Sequence, residues 1–186
     1  MLFIDTEVNA KTKKIEDIGC INSKREEFHS NNINKLINFI RREDFFVGHN
    51  IINHDLIYLN QTPASKYIDS RRCIDTLFLS TLLFPEKPYH SLVKNDKLQT
   101  NFVNNPLNDA KTTEKLFADI VETFNDLETI LKNIYYLLLK NTAGFEGFFK
   151  YLKYKTSTKE VLPLIVDYFK NRYCHYVDLQ SIIEEN

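Results

Sequence analysis

The sequence contains few of the residues that characterise fibrous, linker-like or disulfide-bonded chains. Only 4 of its 186 residues are glycine and 5 are proline, which excludes collagen-like and low-complexity proteins. Its three cysteines, Cys20, Cys73 and Cys174, are far apart and form no CxxC pair. Neither a disulfide framework nor a structural zinc site is therefore predicted, and reduced thiols in a cytoplasmic protein are the simplest interpretation.

Charge and hydrophobicity exclude further classes of protein. Lys plus Arg total 24 and Asp plus Glu total 25, so the net charge is −1 and bulk positive charge cannot attract nucleic acid. A nuclease is still allowed, since it needs acidic residues at its centre and basic residues only at its rim. No apolar run approaches the length of a membrane span, and the N-terminus becomes acidic at Asp5 without the basic head of a signal peptide.

Apolar patterning predicts an α/β region followed by helices. Periodicity and an N-cap at Asp75 predict strands at residues 1–7, 14–22, 25–29, 45–47 and 67–68, and helices at 31–41, 53–59, 76–83 and 107–127. The pattern is helical after about residue 126, so we expect an α/β domain over residues 1–126 and a helical module over 127–186. The amphipathic C-terminal end carries no stop signal, and we expect the chain to be part of a longer protein.

Four acidic residues lie at strand ends or helix starts. Asp5 and Glu7 end the first predicted strand, Asp55 begins the helix after strand 45–47, and Asp109 lies in the first turn of helix 107–127. Alternation along a strand puts Asp5 and Glu7 on one side, and ligands gather at such strand ends. Carboxylates converging there predict a site for Mg²⁺ or Mn²⁺, and two such ions can activate water and stabilise a leaving phosphate oxygen.

Each acid also has a simpler explanation when taken alone. A D-x-E triplet is common by chance, and Asp55 or Asp109 could be a helix-start charge favoured by the helix dipole. The order of the acids along the chain favours the metal site, because an apolar strand ends in D-x-E and two later helices each begin with an acid.

Several segments together resemble a known family. FIDTE, GHNIINHDLIYL, CIDTLFLSTLL, YHSL and NNPLNDAKTTEKLF, in this order and within residues 1–124, are similar to the DEDD superfamily of 3′→5′ exonucleases, which includes proofreading exonucleases, RNase T and oligoribonuclease. The resemblance implies a ribonuclease H-like fold, a mixed sheet flanked by helices. It also implies two Mg²⁺ or Mn²⁺ ions, with ligands matching Asp5, Glu7, Asp55 and Asp109. We expect substrate contacts from residues within these segments: Thr6, Asn50, His54 and His90.

The chain departs from this family at the general base. The family usually has a His five residues, or a Tyr four residues, before the last Asp, and these positions are Asn104 and Asn105 here. Asparagine has no titrating group near neutral pH, so we expect Asn104 at most to orient the attacking water. His54 and His90 are candidate substitutes, although packing and a backbone hydrogen bond would also explain either ring.

A second resemblance concerns the context of the domain. GHNIINHDL, NNPLND and the helical C-terminal part resemble the exonuclease-like domain at the head of large bacterial RecQ-type helicases. The sequence has no GxxxxGK[ST] motif, so helicase domains would lie beyond residue 186. The resulting expectation is a slow 3′→5′ exonuclease acting on the 3′ end of single-stranded DNA, or alternatively RNA. The competing hypothesis is a catalytically inactive module that binds nucleic acid or a partner within a larger helicase or repair protein.

Basic and aromatic residues alternate at residues 148–155. Such a segment can hold a single strand by base stacking and phosphate contact. We favour a helix that buries Phe149 and Leu152 and leaves its lysines outside.

Overall fold

A computed structural model describes residues 1–92, 105–170, 178 and 181–182. It confirms an α/β protein with a mixed sheet flanked by helices. No helix among these residues is long and apolar enough to cross a membrane. Two short 3₁₀ helices, Pro63–Lys66 and Ser70–Arg72, accompany the following strands and α-helices: β1 Leu2–Val8, β2 Ile15–Asn22, β3 Glu27–His29, β4 Phe46–Gly48, β5 Cys73–Asp75, α1 Ile33–Ile40, α2 Asp55–Leu59, α3 Thr76–Leu83, α4 Pro106–Asp126, α5 Thr129–Leu139, α6 Glu146–Tyr151 and α7 Leu162–Phe169.

The first strand is the centre of the sheet. The strand order is β3-β2-β1-β4-β5, with antiparallel pairs β1–β2 and β2–β3 and parallel pairs β1–β4 and β4–β5. Leu2, Phe3 and Ile4 are all buried, which explains the uninterrupted apolar run, since a central strand is covered on both faces.

Alternate residues of β1 face two separate buried clusters. Leu2 and Ile4 pack with α1 and α2 on one face of the sheet, whereas Phe3 packs with α4 and α6 on the other. Because side chains alternate along a strand, Asp5 and Glu7 lie on the α4 face with Phe3, and Thr6 lies on the opposite face.

The cluster on the α4 face includes residues from both sides of the predicted boundary near residue 126. Phe148 and Phe149 of α6 are 0% and 3% exposed, and the ring of Phe148 lies 5.3 Å from that of Phe124. The prediction that Phe149 is buried is therefore confirmed, and Leu152 packs against the same cluster. The division into two domains stays a prediction.

The strand predicted at Tyr67 and Ile68 is wrong. Tyr67 ends a 3₁₀ turn, with its N–H donating to Ala64 O at 2.9 Å, and Ile68 reaches the core from an irregular segment. The fifth strand is β5, whose Cys73 and Ile74 are fully buried beside β4. Strand β5 has only three residues, so it presents too short an apolar run to be distinguished by periodicity from the pair at 67–68.

Candidate metal centre

Three acidic side chains meet at one end of β1. One carboxylate oxygen from each of Asp5, Glu7 and Asp109 lies within 4.8 Å of the other two, and all three residues are half-buried. We call these three residues the acidic cluster. The structure thus brings together three of the four acids predicted from the sequence.

A glycine on the neighbouring strand allows Asp109 to reach this position. Gly19 of β2 is the cross-strand partner of Asp5, and a Cβ at Gly19 would lie 2.0 Å from Leu107 N and 2.2 Å from Pro106 C. The backbone of the first turn of α4 therefore rests directly on β2. Asp109 belongs to this turn, so the absence of a side chain at Gly19 allows the turn that carries Asp109 to lie against β2 beside Asp5.

Asp55, the fourth acid, is attached to β1 by two hydrogen bonds. Its Oδ1 accepts from Thr6 N at 2.7 Å and from Thr6 Oγ1 at 2.8 Å. Strand β1 pairs with β4 only at Leu2 and Phe3, so Asp55 takes the place of a strand partner at Thr6. The predicted substrate contact at Thr6 is 2% exposed, and its side chain orients Asp55.

The other oxygen of Asp55 has no hydrogen-bond partner among the described residues. Asp55 is 1% exposed, its Oδ2 is buried and unsatisfied, and the nearby His54 Nδ1 is 3.8 Å away, too far for a hydrogen bond. An unpaired buried acceptor is unfavourable, and a divalent cation would satisfy it. All candidate ligands are carboxylates, the donors that Mg²⁺ and Mn²⁺ prefer, so this residue set fits such ions.

A second buried carboxylate holds the loop that carries Asp55. Asp75 is fully buried and accepts from Asn50 N at 3.0 Å and Ile52 N at 3.1 Å, while also capping α3 through Leu77 N at 3.0 Å. Burial raises the pKa of Asp75, and these N–H donors oppose the rise. Asn50 contributes its backbone N–H to this arrangement from a left-handed conformation with φ of 69°.

His49 lies near the acids and was missed by the sequence-based prediction. Its Nδ1 is 3.1 Å from Thr76 Oγ1. Burial lowers the pKa of His49, and the backbone of His90 and the carboxylates of Asp55 and Asp109 oppose this effect. The available signal was its position directly after Gly48 at the end of a strand, next to Asn50.

The two histidines predicted from the sequence, His54 and His90, occupy different environments. The His54 side chain is 44% exposed, its interaction with the Asp55 carboxylate raises its pKa, and its ring lies 5.6 Å from that of Tyr58. His90 Nδ1 is 2.8 Å from Ser80 Oγ of α3. His54 is thus an exposed group beside Asp55, whereas His90 is attached to a helix.

Asn104 and Asn105 are the two residues at the positions where the general base was expected. Asn104 lies outside the described residues. Asn105 is the N-cap of α4, and its side chain accepts from Leu107 N at 3.0 Å. N-cap asparagines satisfy helix N–H groups that otherwise lack partners, so the side chain of Asn105 has a structural role.

Comparison with known proteins assigns no family. A scan against protein-family models and a search of curated proteins both find no match.

The chemistry of the site is therefore inferred from its own residues, which favour cation binding over thiol catalysis. Cys20 is fully buried, and burial, reinforced by Asp55 and Asp5, raises its pKa, whereas thiol nucleophiles require an accessible thiolate.

Proposed function

We propose that this chain is a metal-dependent 3′→5′ exonuclease, or a domain derived from one, that acts on the 3′ end of single-stranded DNA. The observation that carries the proposal is the acidic cluster together with the buried Oδ2 of Asp55, which accepts no hydrogen bond from the described residues. The mixed sheet flanked by helices is compatible with a ribonuclease H-like fold, and we include a fold of the DEDD type in the proposal. The proposal also includes a cytoplasmic location.

Each residue of the site has a defined part in this proposal. Asp5, Glu7, Asp55 and Asp109 would hold two Mg²⁺ or Mn²⁺ ions, which when bound would supply Lewis-acid stabilisation of a phosphodiester under attack by water. Thr6 orients Asp55 through its hydroxyl and N–H groups. His54 is exposed beside Asp55 and would contact the substrate.

The general base is the weak point of the site. A positioned base typically contributes about 10²- to 10⁴-fold, and the side chain of Asn105 is used as a helix cap. We therefore expect slow cleavage. This capping role also favours the second candidate function, a catalytically inactive module that binds nucleic acid or a partner in a larger helicase or repair protein.

Asp55→Asn tests the metal site with a characteristic pair of results. The amide oxygen can keep the Thr6 hydrogen bonds, while Oδ2 is replaced by an NH2 group whose donors also lack partners among the described residues. Without metal the variant should therefore melt at or somewhat below the wild-type temperature. A ligand at 100 times its dissociation constant adds about 2.7 kcal/mol, which raises the melting temperature by about 5 to 11 °C at this chain length. Mn²⁺ should produce such a rise in wild type and not in Asp55→Asn.

Asp119→Asn is the matched control, since it removes an exposed acid of α4 with the same change of charge, and it should respond to Mn²⁺ like wild type. A wild-type protein that gains no stability from millimolar Mn²⁺ would contradict the metal site. Cleavage is measured as nucleotide release from 3′-labelled single-stranded DNA and RNA in Mg²⁺ and in Mn²⁺. Metal binding without any cleavage would favour the inactive module.

A further inference from the structure

The turn between β1 and β2 carries three exposed lysines directly beyond the acidic cluster. Lys11, Lys13 and Lys14 are all exposed, and none of them has an ion-pair partner in the parts of the chain that the structure describes. We call residues 9–14 the lysine turn. It holds three positive charges and no acid, in a chain whose net charge is −1.

Hydrogen bonds from Asn9 hold the backbone of the lysine turn in one conformation. Asn9 N donates to Lys14 O at 2.9 Å, and Lys13 N donates to Asn9 O at 2.8 Å. The Asn9 side-chain oxygen accepts from Lys11 N at 2.9 Å and from Thr12 N at 2.8 Å. A preformed backbone lowers the entropy lost when the lysines bind a ligand.

The nearest acids on β2 are engaged with other groups. Glu16 accepts from the Asn9 side-chain amide at 2.5 Å, and Asp17 lies 2.7 Å from the ring of His29. The lysines therefore remain the groups of the turn that are available to an anionic ligand.

The lysine turn lies close enough to the acidic cluster to contact the same substrate. Lys11 is four residues beyond Glu7, which is at most about 14 Å along an extended strand. Successive nucleotides advance about 3.4 Å each in a stacked duplex, and an extended single strand advances further, so the duplex spacing gives the largest number of nucleotides. The turn is thus within about four nucleotides of a strand end placed at Asp5, Glu7 and Asp109.

We propose that the lysine turn binds the phosphate backbone of a single-stranded nucleic acid whose 3′ end lies at the acidic cluster. The position of that end rests on the proposed function. The lysines neutralise phosphates of the first few nucleotides and so hold the strand in register with the carboxylates. Such contacts position a strand without reading its sequence.

The first test compares two triple variants that change the net charge equally. Lys11→Gln, Lys13→Gln and Lys14→Gln remove the charges of the turn, whereas Lys24→Gln, Lys35→Gln and Lys66→Gln remove three exposed charges elsewhere on the surface. Binding of a fluorescent oligothymidylate is measured by anisotropy in EDTA from 50 to 200 mM salt. Each phosphate contact contributes about 0.7 to the slope of log K against log salt.

The turn variant should reduce the magnitude of this slope by about 2. Raising the salt concentration fourfold should therefore weaken wild-type binding about 16-fold more than it weakens binding by the variant. The control variant should keep the wild-type slope. An equal change in both triple variants, an unchanged slope in the turn variant, or no binding by wild type would overturn the proposal.

The second test locates the contact along the strand. A methylphosphonate, which removes one phosphate charge, is placed in turn at each of the four linkages nearest the 3′ end. At the contacted linkages it should weaken binding by wild type and leave binding by the turn variant unchanged, because the two changes remove the same interaction. Equal weakening of both proteins at every linkage would overturn the proposal. Melting and cleavage in Mn²⁺ test the carboxylates and therefore the proposed function. Binding in EDTA tests the lysine turn, so a failure of one proposal can be told apart from a failure of the other.

Discussion

Replacing Gly19 with alanine perturbs the acidic cluster without altering any carboxylate. The new Cβ would lie 2.0 Å from Leu107 N and 2.2 Å from Pro106 C, and both atoms belong to the backbone. Neither can move aside as the tip of a flexible side chain would. The first turn of α4 must therefore shift away from β2 and carry Asp109 away from Asp5 and Glu7.

The expected loss of stability follows from this clash. Overpacking a closely packed contact typically costs about 1 to 3 kcal/mol, which lowers the melting temperature by about 2 to 12 °C for a chain of this length. The second consequence is specific to the site. A displaced Asp109 no longer shares a cation with Asp5 and Glu7, so the rise in melting temperature caused by Mn²⁺ should become much smaller.

Thermal unfolding of Gly19→Ala with and without Mn²⁺ measures both effects. Gly147→Ala is the control, because its Cβ would lie 2.5 Å from Cys73 O, a comparable backbone clash on α6 away from the acids. It should lower the melting temperature and keep the Mn²⁺-dependent rise. If Gly19→Ala retained the full rise, the placement of Asp109 would not depend on the contact between α4 and β2, and the reasoning would be refuted.

Three further predictions concern other parts of the molecule. Asp75→Asn should lower the free energy of unfolding by about 1 to 3 kcal/mol in urea denaturation, because an amide group in place of the buried Oδ2 leaves the half-buried Ile52 N–H without its acceptor. An equally stable variant would contradict this role. Asn104→His should accelerate nucleotide release from 3′-labelled DNA by up to about 10²- to 10⁴-fold, and Asp109→Ala should abolish the release. If the wild-type protein cleaved at ordinary exonuclease speed and Asn104→Ala cleaved equally fast, another group would be the base. Cys20 and Cys73 should resist iodoacetamide until the protein unfolds, because burial raises the pKa of both thiols, that of Cys73 to about 12. Peptide mass spectrometry measures the labelling, and rapid modification in the native state would contradict their burial.

Patterns that depend on neighbours in the chain were sufficient to predict most of the elements. The strand at residues 1–7 was predicted from its apolar pattern, and Asp75 was correctly predicted as the N-cap of α3. Alternation along β1 was enough to place Asp5 and Glu7 on one face, and the first-turn position of Asp109 was also predicted. These features are set by local backbone geometry and side-chain periodicity, which are present in the sequence itself.

Contacts between distant segments were decided only by the tertiary structure. Gly19 has no local signal for its role, because that role depends on an approach by Pro106 and Leu107, more than eighty residues later. The attachment of Asp55 to Thr6 likewise depends on where β4 stops pairing with β1. Local periodicity describes which face a side chain occupies, but the distance between two faces is set by how the segments pack, and that distance determines whether separate carboxylates form one site.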